Sequence, residues 1–145
     1  MNKGFFALVA GIAILGPSET RASQLIKVII PIVESESNVK EIGDLNLKQR
    51  AYGSHQIRQP VCDDVNRYFG TKYRAEQMLG NRELSEKVCE MYLSIWATEA
   101  RIGRKVTDQD RARIWNGGPK GWQKKSTLGY WVKIQKAKKE LSVAK

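Results

Sequence analysis

Glu34 is the residue of this sequence whose setting best suits acid–base chemistry. It follows the apolar pair Ile32-Val33 at the end of an apolar run and precedes a polar segment that contains glycine. Burial against apolar groups disfavours a charged carboxylate and raises its pKa, so a glutamic acid can hold a proton near neutral pH for a leaving group. The alternative is a helix-terminal glutamate paired with one of the 25 lysines and arginines.

Other catalytic and metal-binding patterns are missing from the sequence. It contains no HExxH, GxSxG or CxxC pattern and no phosphate-binding glycine loop. His55 is the single histidine, so a structural zinc set cannot be assembled. We therefore expect neither a metal nor a cofactor.

Cys62 and Cys89 are the two cysteines of the chain. An even pair in an oxidising compartment favours a disulfide, so we predict a Cys62–Cys89 bond worth about 3–4 kcal/mol. The alternative, expected in a reducing compartment, is two buried free thiols.

Residues 1–22 have the features of a secretory signal peptide. A short positive start with Lys3 precedes an apolar run too short to span a bilayer comfortably, and Gly16-Pro17 ends that run before small residues near Ala22. A buried helix or an uncleaved anchor are the alternatives. We expect an exported protein, periplasmic or secreted, with a folded domain at residues 23–145 and no stable membrane insertion after cleavage.

Length and composition indicate one globular domain. The 145 residues are 41% hydrophobic and 28% charged, which excludes the disordered and fibrous classes. A net charge of +10 makes nucleic acid, anionic lipid and acidic wall polymers physically reasonable partners. Export favours the cell wall over nucleic acid, and we expect a monomer.

The spacing of apolar residues predicts a mainly α-helical domain. The run from Gln24 to Glu36 should form a largely buried helix despite Pro31. Residues 38–56 should be loop with at most a small β-hairpin, because β-branched residues are scarce there. Further helices are predicted from Pro60 to Gly70, over Leu84–Ile102, from a Thr107–Asp110 capping box to Trp115, and from a Ser126 or Thr127 cap through Leu141.

Four sequence blocks, taken in order, resemble the lysozyme-like soluble lytic transglycosylases. The segment 32–35 (IVES) is similar to the end of that family's apolar helix, whose glutamate, here Glu34, is the catalytic acid. Gly43-Asp44 and the segment 51–57 (AYGSHQI) are similar to a loop whose glutamine, here Gln56, lines the sugar groove.

The other two blocks lie in the second half of the chain. The segment 114–119 (IWNGGP) resembles a block whose asparagine, here Asn116, holds the sugar, and the segment 130–134 (YWVKI) resembles one whose tyrosine, here Tyr130, faces the acid. The resemblance spans residues 26–134. The sequence departs from the family pattern at two places. Pro31 interrupts the helix ahead of the acid, and Ser54-His55 replaces the usual apolar pair before the glutamine. We interpret His55 as a groove or surface residue rather than a base or pH switch.

The resemblance implies a single lysozyme-like domain of the goose-type lysozyme and lytic transglycosylase architecture. It also implies an enzyme that cleaves the bond between N-acetylmuramic acid and N-acetylglucosamine in peptidoglycan, with Glu34 as general acid and base. The preferred prediction is a lytic transglycosylase, in which the N-acetyl group of the substrate would stabilise the positive centre and Glu34 would then activate the muramic 6-hydroxyl to form an anhydro sugar, so no second carboxylate is needed. Substrate contacts are expected from Ser35, Asp44, Gln56, Asn116 and Tyr130.

Asp44 carries the hydrolytic alternative. A second carboxylate lies about 6.5–9.5 Å from the acid in inverting glycosidases and about 5–5.5 Å from it in retaining ones. Asp44 would supply that group in a lysozyme, or else only stabilise a turn. Two further alternatives are a non-catalytic basic module that binds the cell wall and a nucleic-acid-binding protein.

Overall fold

The fold is mainly α-helical, with one small antiparallel sheet, in the computed structural model. The structure describes residues 22–35, 42–44 and 47–144, so the predicted signal peptide lies outside the described residues except at Ala22. Among the helices of these ranges, none combines the length and the hydrophobicity that a membrane-spanning segment needs. The predicted fold class is confirmed.

The elements follow the predicted order along the chain. We number the helices α1 to α6 and the strands β1 and β2. Their bounds are α1 Ile30–Ser35, β1 Ile42–Gly43, β2 Ala51–Tyr52, α2 Gln59–Phe69, α3 Arg82–Trp96, α4 Glu99–Ile102, α5 Asp108–Gly117 and α6 Leu128–Val143, with 3₁₀ turns at Ala75–Met78, Gly121–Gln123 and Lys125–Thr127.

Residues 22–35 are helical throughout, as the apolar run predicts, but a π-helical turn at Leu25–Ile29 precedes α1. In this turn the Ile30 N–H donates to the carbonyl of Leu25, five residues back, rather than four. Pro31, which has no N–H, follows directly and is accommodated inside the helix. As predicted, the apolar side of this helix is buried, and its buried residues include Leu25, Ile26, Ile29, Ile30 and Val33.

A small hairpin forms in the segment for which loop with at most a small hairpin is predicted. Ile42 pairs with Tyr52, and Gly43 pairs with Ala51. Tyr52 and Ile57 then exchange two backbone hydrogen bonds of 2.9 Å, which closes a tight loop over residues 53–56. Gly53 is required in this loop because its φ is +76° and a Cβ would lie 2.5 Å from the carbonyl oxygen of Met78.

Both predicted ends of α2 and the predicted start of α5 are confirmed, and local capping residues set them. α2 has Pro60 in its first turn and ends at Gly70, whose φ is 69°. α5 begins at the predicted capping box, in which the Thr107 hydroxyl accepts from the Asp110 N–H and the Asp110 carboxylate accepts from the Thr107 N–H.

One predicted helix is divided in two, and the last helix begins after Thr127, as predicted, but without the expected side-chain cap. The helix expected over Leu84–Ile102 is divided into α3 and α4, because Thr98 accepts a hydrogen bond from the Arg101 N–H and starts a new helix. Thr127 does not cap α6 with its side chain. Its hydroxyl instead donates to the Gly121 carbonyl at 2.7 Å and accepts from Arg113 Nε at 2.8 Å, which ties the preceding loop together.

The predicted Cys62–Cys89 disulfide is not formed. Both cysteines are free thiols, fully buried in the hydrophobic core on α2 and α3. Burial raises the pKa of Cys62 to about 11 and that of Cys89 well above its ordinary value. The two thiols therefore stay protonated and pack as small apolar groups.

Candidate active site

A cleft of about 620 Å³ brings together residues that are far apart in the sequence. Its walls come from the end of α1, the hairpin and the loop after it, the first turns of α2, α3 near Tyr92, the last turn of α5 and the loop after α5. The lining residues are Glu34, Asp44, Ala51, Gln56, Arg58, Pro60, Val61, Asp64, Tyr92, Trp115, Asn116, Gly118 and Pro119.

Glu34 lies in this cleft as a largely buried carboxyl group that accepts two side-chain hydrogen bonds. The Tyr130 hydroxyl donates to Glu34 Oε1 at 2.9 Å, and the Trp115 indole N–H is the second donor. Burial raises the pKa of Glu34 to about 7. Both hydrogen bonds and the positive charge of Lys133 lower this pKa, and the negative charge of Asp44 raises it slightly, but burial has the largest effect. Near neutral pH the carboxyl group can therefore both give and accept a proton.

Tyr130, in the first turn of α6, is almost completely buried beside Glu34. Burial and the adjacent Glu34 charge hold the pKa of its phenol well above the ordinary value. The phenol therefore remains a neutral donor at any pH where Glu34 titrates.

Trp115 is a site residue that the sequence reasoning did not single out. Its ring makes edge-to-face contacts with Tyr92, at 5.8 Å between centroids, and with His55, at 6.3 Å. These contacts fix the indole that donates to Glu34. The only signal in the sequence was its position directly before Asn116.

Asp44 lines the same cleft and also has a role in its turn. Its φ is 56°, its carbonyl accepts from the Leu47 N–H at 2.9 Å, and its carboxylate forms an ion pair with Arg58. The pair is partly exposed, with about two fifths of each side chain accessible, so its contribution to stability is small. Arg58 is a second cleft residue that the sequence reasoning did not identify.

Of the remaining predicted contact residues, Gln56 and Asn116 line the cleft. Gln56 lines the cleft with a φ of 50°, and its side-chain amide donates to the Gly53 carbonyl at 3.0 Å. Asn116 lines the cleft from the last turn of α5 and is exposed. Ser35 is the last residue of α1, and its side chain lies outside the described part of the structure.

Close packing holds the loop after Asn116 against α5. A Cβ on Gly121 would lie 2.0 Å from the Arg113 carbonyl oxygen, and one on Gly117 would lie 2.4 Å from Thr127 Cγ2. Only glycine permits these approaches. The glycine-rich segment thus serves packing that keeps Asn116 and Pro119 at the cleft.

His55 is a core residue, so its interpretation as a groove or surface residue is wrong. Its side chain is 0% exposed. Nε2 lies 2.7 Å from the Ile26 carbonyl oxygen, and Nδ1 lies 2.9 Å from Ser54 Oγ, so Nε2 is the donor and Nδ1 accepts from the serine. Burial lowers the pKa of His55, which keeps the ring neutral.

Asp64, a further cleft carboxylate, connects α2 to α3. It accepts a hydrogen bond from the Trp96 indole at 3.2 Å and faces Arg67 at 3.7 Å. Across the described ranges, no group of three or more His, Cys, Asp or Glu residues is arranged to hold a metal ion. The chemistry available in the cleft is that of carboxyl, phenol, indole, amide and guanidinium groups.

The fold is similar to those of solved lysozymes. Inhibitor-bound lysozyme from Meretrix lusoria aligns with a TM-score of 0.58 at 25% identity over 74% of this chain and 85% of that one, and the complex of Aeromonas hydrophila PliI with Meretrix lusoria lysozyme gives the same values. Tapes japonica lysozyme aligns with a TM-score of 0.55 at 25% identity over 76% of this chain and 87% of that one. No protein-family model matches the sequence, and no curated protein does. The predicted lysozyme-like fold is confirmed.

Proposed function

We propose that this protein is a muramidase that cleaves the β-1,4 bond between N-acetylmuramic acid and N-acetylglucosamine in peptidoglycan, with Glu34 as its general acid. The observation that carries the proposal is a carboxyl group of pKa about 7 in an open cleft, held by a phenol and an indole. The structural similarity to lysozymes supports the same activity.

The first step needs only groups that lie in the cleft. Protonated Glu34 gives its proton to the glycosidic oxygen, the bond from that oxygen to the anomeric carbon breaks, and the sugar becomes oxocarbenium-like. The carboxylate that remains keeps its hydrogen bonds from Tyr130 and Trp115. Gln56 and Asn116 line the cleft with amide groups that can pair with the N-acetyl groups of the glycan.

The second step can take two courses. In hydrolysis, Asp44 would orient or activate the attacking water, or stabilise the positive sugar, and the product would have a reducing end. In transglycosylation, Glu34 would remove the proton of the muramic 6-hydroxyl, which would close an anhydro ring. We favour hydrolysis because Asp44 lines the cleft and its charge acts on Glu34. The ion pair between Asp44 and Arg58 instead supports transglycosylation, in which Asp44 has no chemical role.

Digestion of purified peptidoglycan tests both parts of the proposal. Wild type should release muropeptides, and Glu34→Gln should release none while remaining folded. Mass spectrometry distinguishes a reducing end from an anhydro end, which is lighter by one water. Full activity of Glu34→Gln would exclude the assigned acid, and anhydro products would exclude simple hydrolysis. A wild-type protein that binds walls without cutting them would favour the binding-module alternative.

We further propose that the protein acts outside the cytoplasm as a monomer. Its substrate would lie in the cell wall. The net charge of +10 falls by only one if Lys3, Glu19 and Arg21 are removed with the signal peptide, so a strongly positive charge would still raise the local concentration of the protein near acidic wall polymers. Fractionation of the producing cells and N-terminal sequencing of the mature chain test the location and the cleavage near residue 22.

A further inference from the structure

The helix that carries Glu34 leaves two backbone carbonyls without their usual helical donors. The Ile30 N–H, which would normally reach the Ile26 carbonyl, donates to Leu25 instead. In an α-helix the carbonyl of Lys27 would accept from the N–H of residue 31, and in a π-helical turn the carbonyl of Ile26 would accept from the same N–H. Residue 31 is a proline and has no N–H, so neither bond can form. The π-helical turn and the proline together create this deficit.

Two side chains from other parts of the fold bind these carbonyls. His55 Nε2, from the loop between β2 and α2, lies 2.7 Å from the Ile26 oxygen. Arg82 Nη2, at the first residue of α3, lies 2.6 Å from the Lys27 oxygen. The donors are separated from their acceptors by 29 and 55 residues, so both bonds are tertiary.

The distortion affects where Glu34 points. A π-helical turn holds more residues than an α-helical turn, and one residue of an α-helix corresponds to a rotation of about 100°. Reversion of Leu25–Ile29 to regular α-helix would therefore rotate Glu34 relative to the buried first part of the helix. The His55 ring also packs against the ring of Trp115, with 6.3 Å between the ring centroids, and Trp115 donates to Glu34.

We infer that His55 and Arg82 are positioning residues that hold the π-helical turn before Pro31 and so keep the Glu34 carboxyl group facing Tyr130 and Trp115 in the cleft. Neither residue lines the cleft. The inference rests on the proposed function in so far as Glu34 is the acid. A purely structural role would stabilise the fold without changing the Glu34 environment in molecules that remain folded.

The test at His55 compares two variants under conditions where circular dichroism shows full folding. His55→Gln keeps an N–H donor for the Ile26 carbonyl, whereas His55→Leu fills similar space without one. We expect His55→Leu to lose about 10- to 100-fold in kcat with little change in KM, as a small displacement of a catalytic group does. His55→Gln should retain most of the activity.

Arg82 provides a second test if His55→Leu does not fold, since Arg82 is largely exposed. Arg82→Met removes the donor to Lys27 together with the ion pair to Glu86, and the matched control Glu86→Gln removes only the ion pair. We expect a several-fold loss of kcat, up to about tenfold, for Arg82→Met and no loss for the control.

A carbon-13 NMR titration of the Glu34 carboxyl group, assigned with Glu34→Gln, provides a readout that does not depend on activity. Its midpoint should move from about 7 toward the ordinary value in His55→Leu and Arg82→Met, because a displaced carboxyl group becomes more solvated. Folded variants with wild-type kcat and an unchanged midpoint would overturn the inference. Activity in Glu34→Gln would instead remove the proposed function, and the titration would still test the positioning role.

Discussion

The Tyr130 hydroxyl donates a hydrogen bond of 2.9 Å to the Glu34 carboxylate across 96 residues of sequence. The contact joins the first and last described α-helices at the cleft. A phenol that stays neutral is paired with a carboxyl group that titrates near pH 7, so the acid has a fixed donor in both of its protonation states.

Tyr130→Phe should lower kcat by about 10- to 100-fold, because the carboxylate formed on proton transfer loses a hydrogen bond to a charged group. The hydrogen bond from Tyr130 lowers the pKa of Glu34, so its removal should move the alkaline limb of the pH–rate profile to higher pH. The pH dependence of peptidoglycan cleavage measures both effects. Tyr68→Phe, at an exposed tyrosine, is the control; an unchanged profile in Tyr130→Phe would contradict the role of this hydrogen bond.

Glu34→Gln should be more stable than wild type above pH 7. Folding raises the pKa of Glu34 from 4.5 to about 7, so the folded state binds the proton more tightly and loses stability as the pH rises through this interval. We expect the variant to gain about 1–3 kcal/mol at pH 8 relative to wild type and much less at pH 4.

Urea unfolding at the two pH values measures this difference. Glu90→Gln, which removes an exposed carboxylate of α3, is the matched control. Equal stability of Glu34→Gln and wild type at pH 8 would mean that Glu34 is not held in a desolvated state.

Asp44→Asn should reduce hydrolysis by at least about 100-fold if the carboxylate acts on water or the sugar cation. The variant keeps the size of the side chain and can still serve in the turn. Product release from peptidoglycan measures the effect. Asp63→Asn, which changes an exposed carboxylate on α2, is the control, and near wild-type cleavage in Asp44→Asn would favour transglycosylation.

The two cysteines should remain reduced and unreactive in the folded protein. Burial holds the pKa of both thiols above the ordinary value, so little thiolate is available to a labelling reagent. Thiol titration should find both groups only after denaturation, and a reducing agent should leave the melting temperature unchanged. A mass lower by two hydrogens, or a melting temperature that falls on reduction, would indicate a disulfide.

Gly121→Ala should destabilise the protein by about 2 kcal/mol or more and reduce cleavage, because its Cβ would meet the Arg113 carbonyl and push the loop away from Asn116. Gly129→Ala is the matched control, since no atom lies within 4 Å of its Cβ. Gly129 is in α6, so its replacement should be neutral or stabilising by up to about 1 kcal/mol. Thermal unfolding and cleavage rates compare the two variants, and equal stability would show that the loop can shift.

Local rules predicted much of the fold. Pro60, Gly70 and the Thr107–Asp110 capping box act on the backbone within a few residues, so the helix ends they set are visible in the sequence. The sequence analysis did not identify the N-cap at Thr98, although that cap is local, and it expected a side-chain cap at residue 126 or 127 that Thr127 does not form. The Thr127 hydroxyl instead donates to the Gly121 carbonyl, a partner that only the folded loop brings within reach.

The sequence by itself determined that an apolar helix would carry Glu34 close to its end. This feature depends on residue type and spacing along one segment. Tertiary structure alone decided that Trp115 and Tyr130 donate to the carboxyl group, that His55 is buried and bound to the Ile26 carbonyl, and that both thiols are free. Hydrogen bonding and desolvation act over a few ångströms in space, and only the folded chain brings residues from both of its ends within that distance.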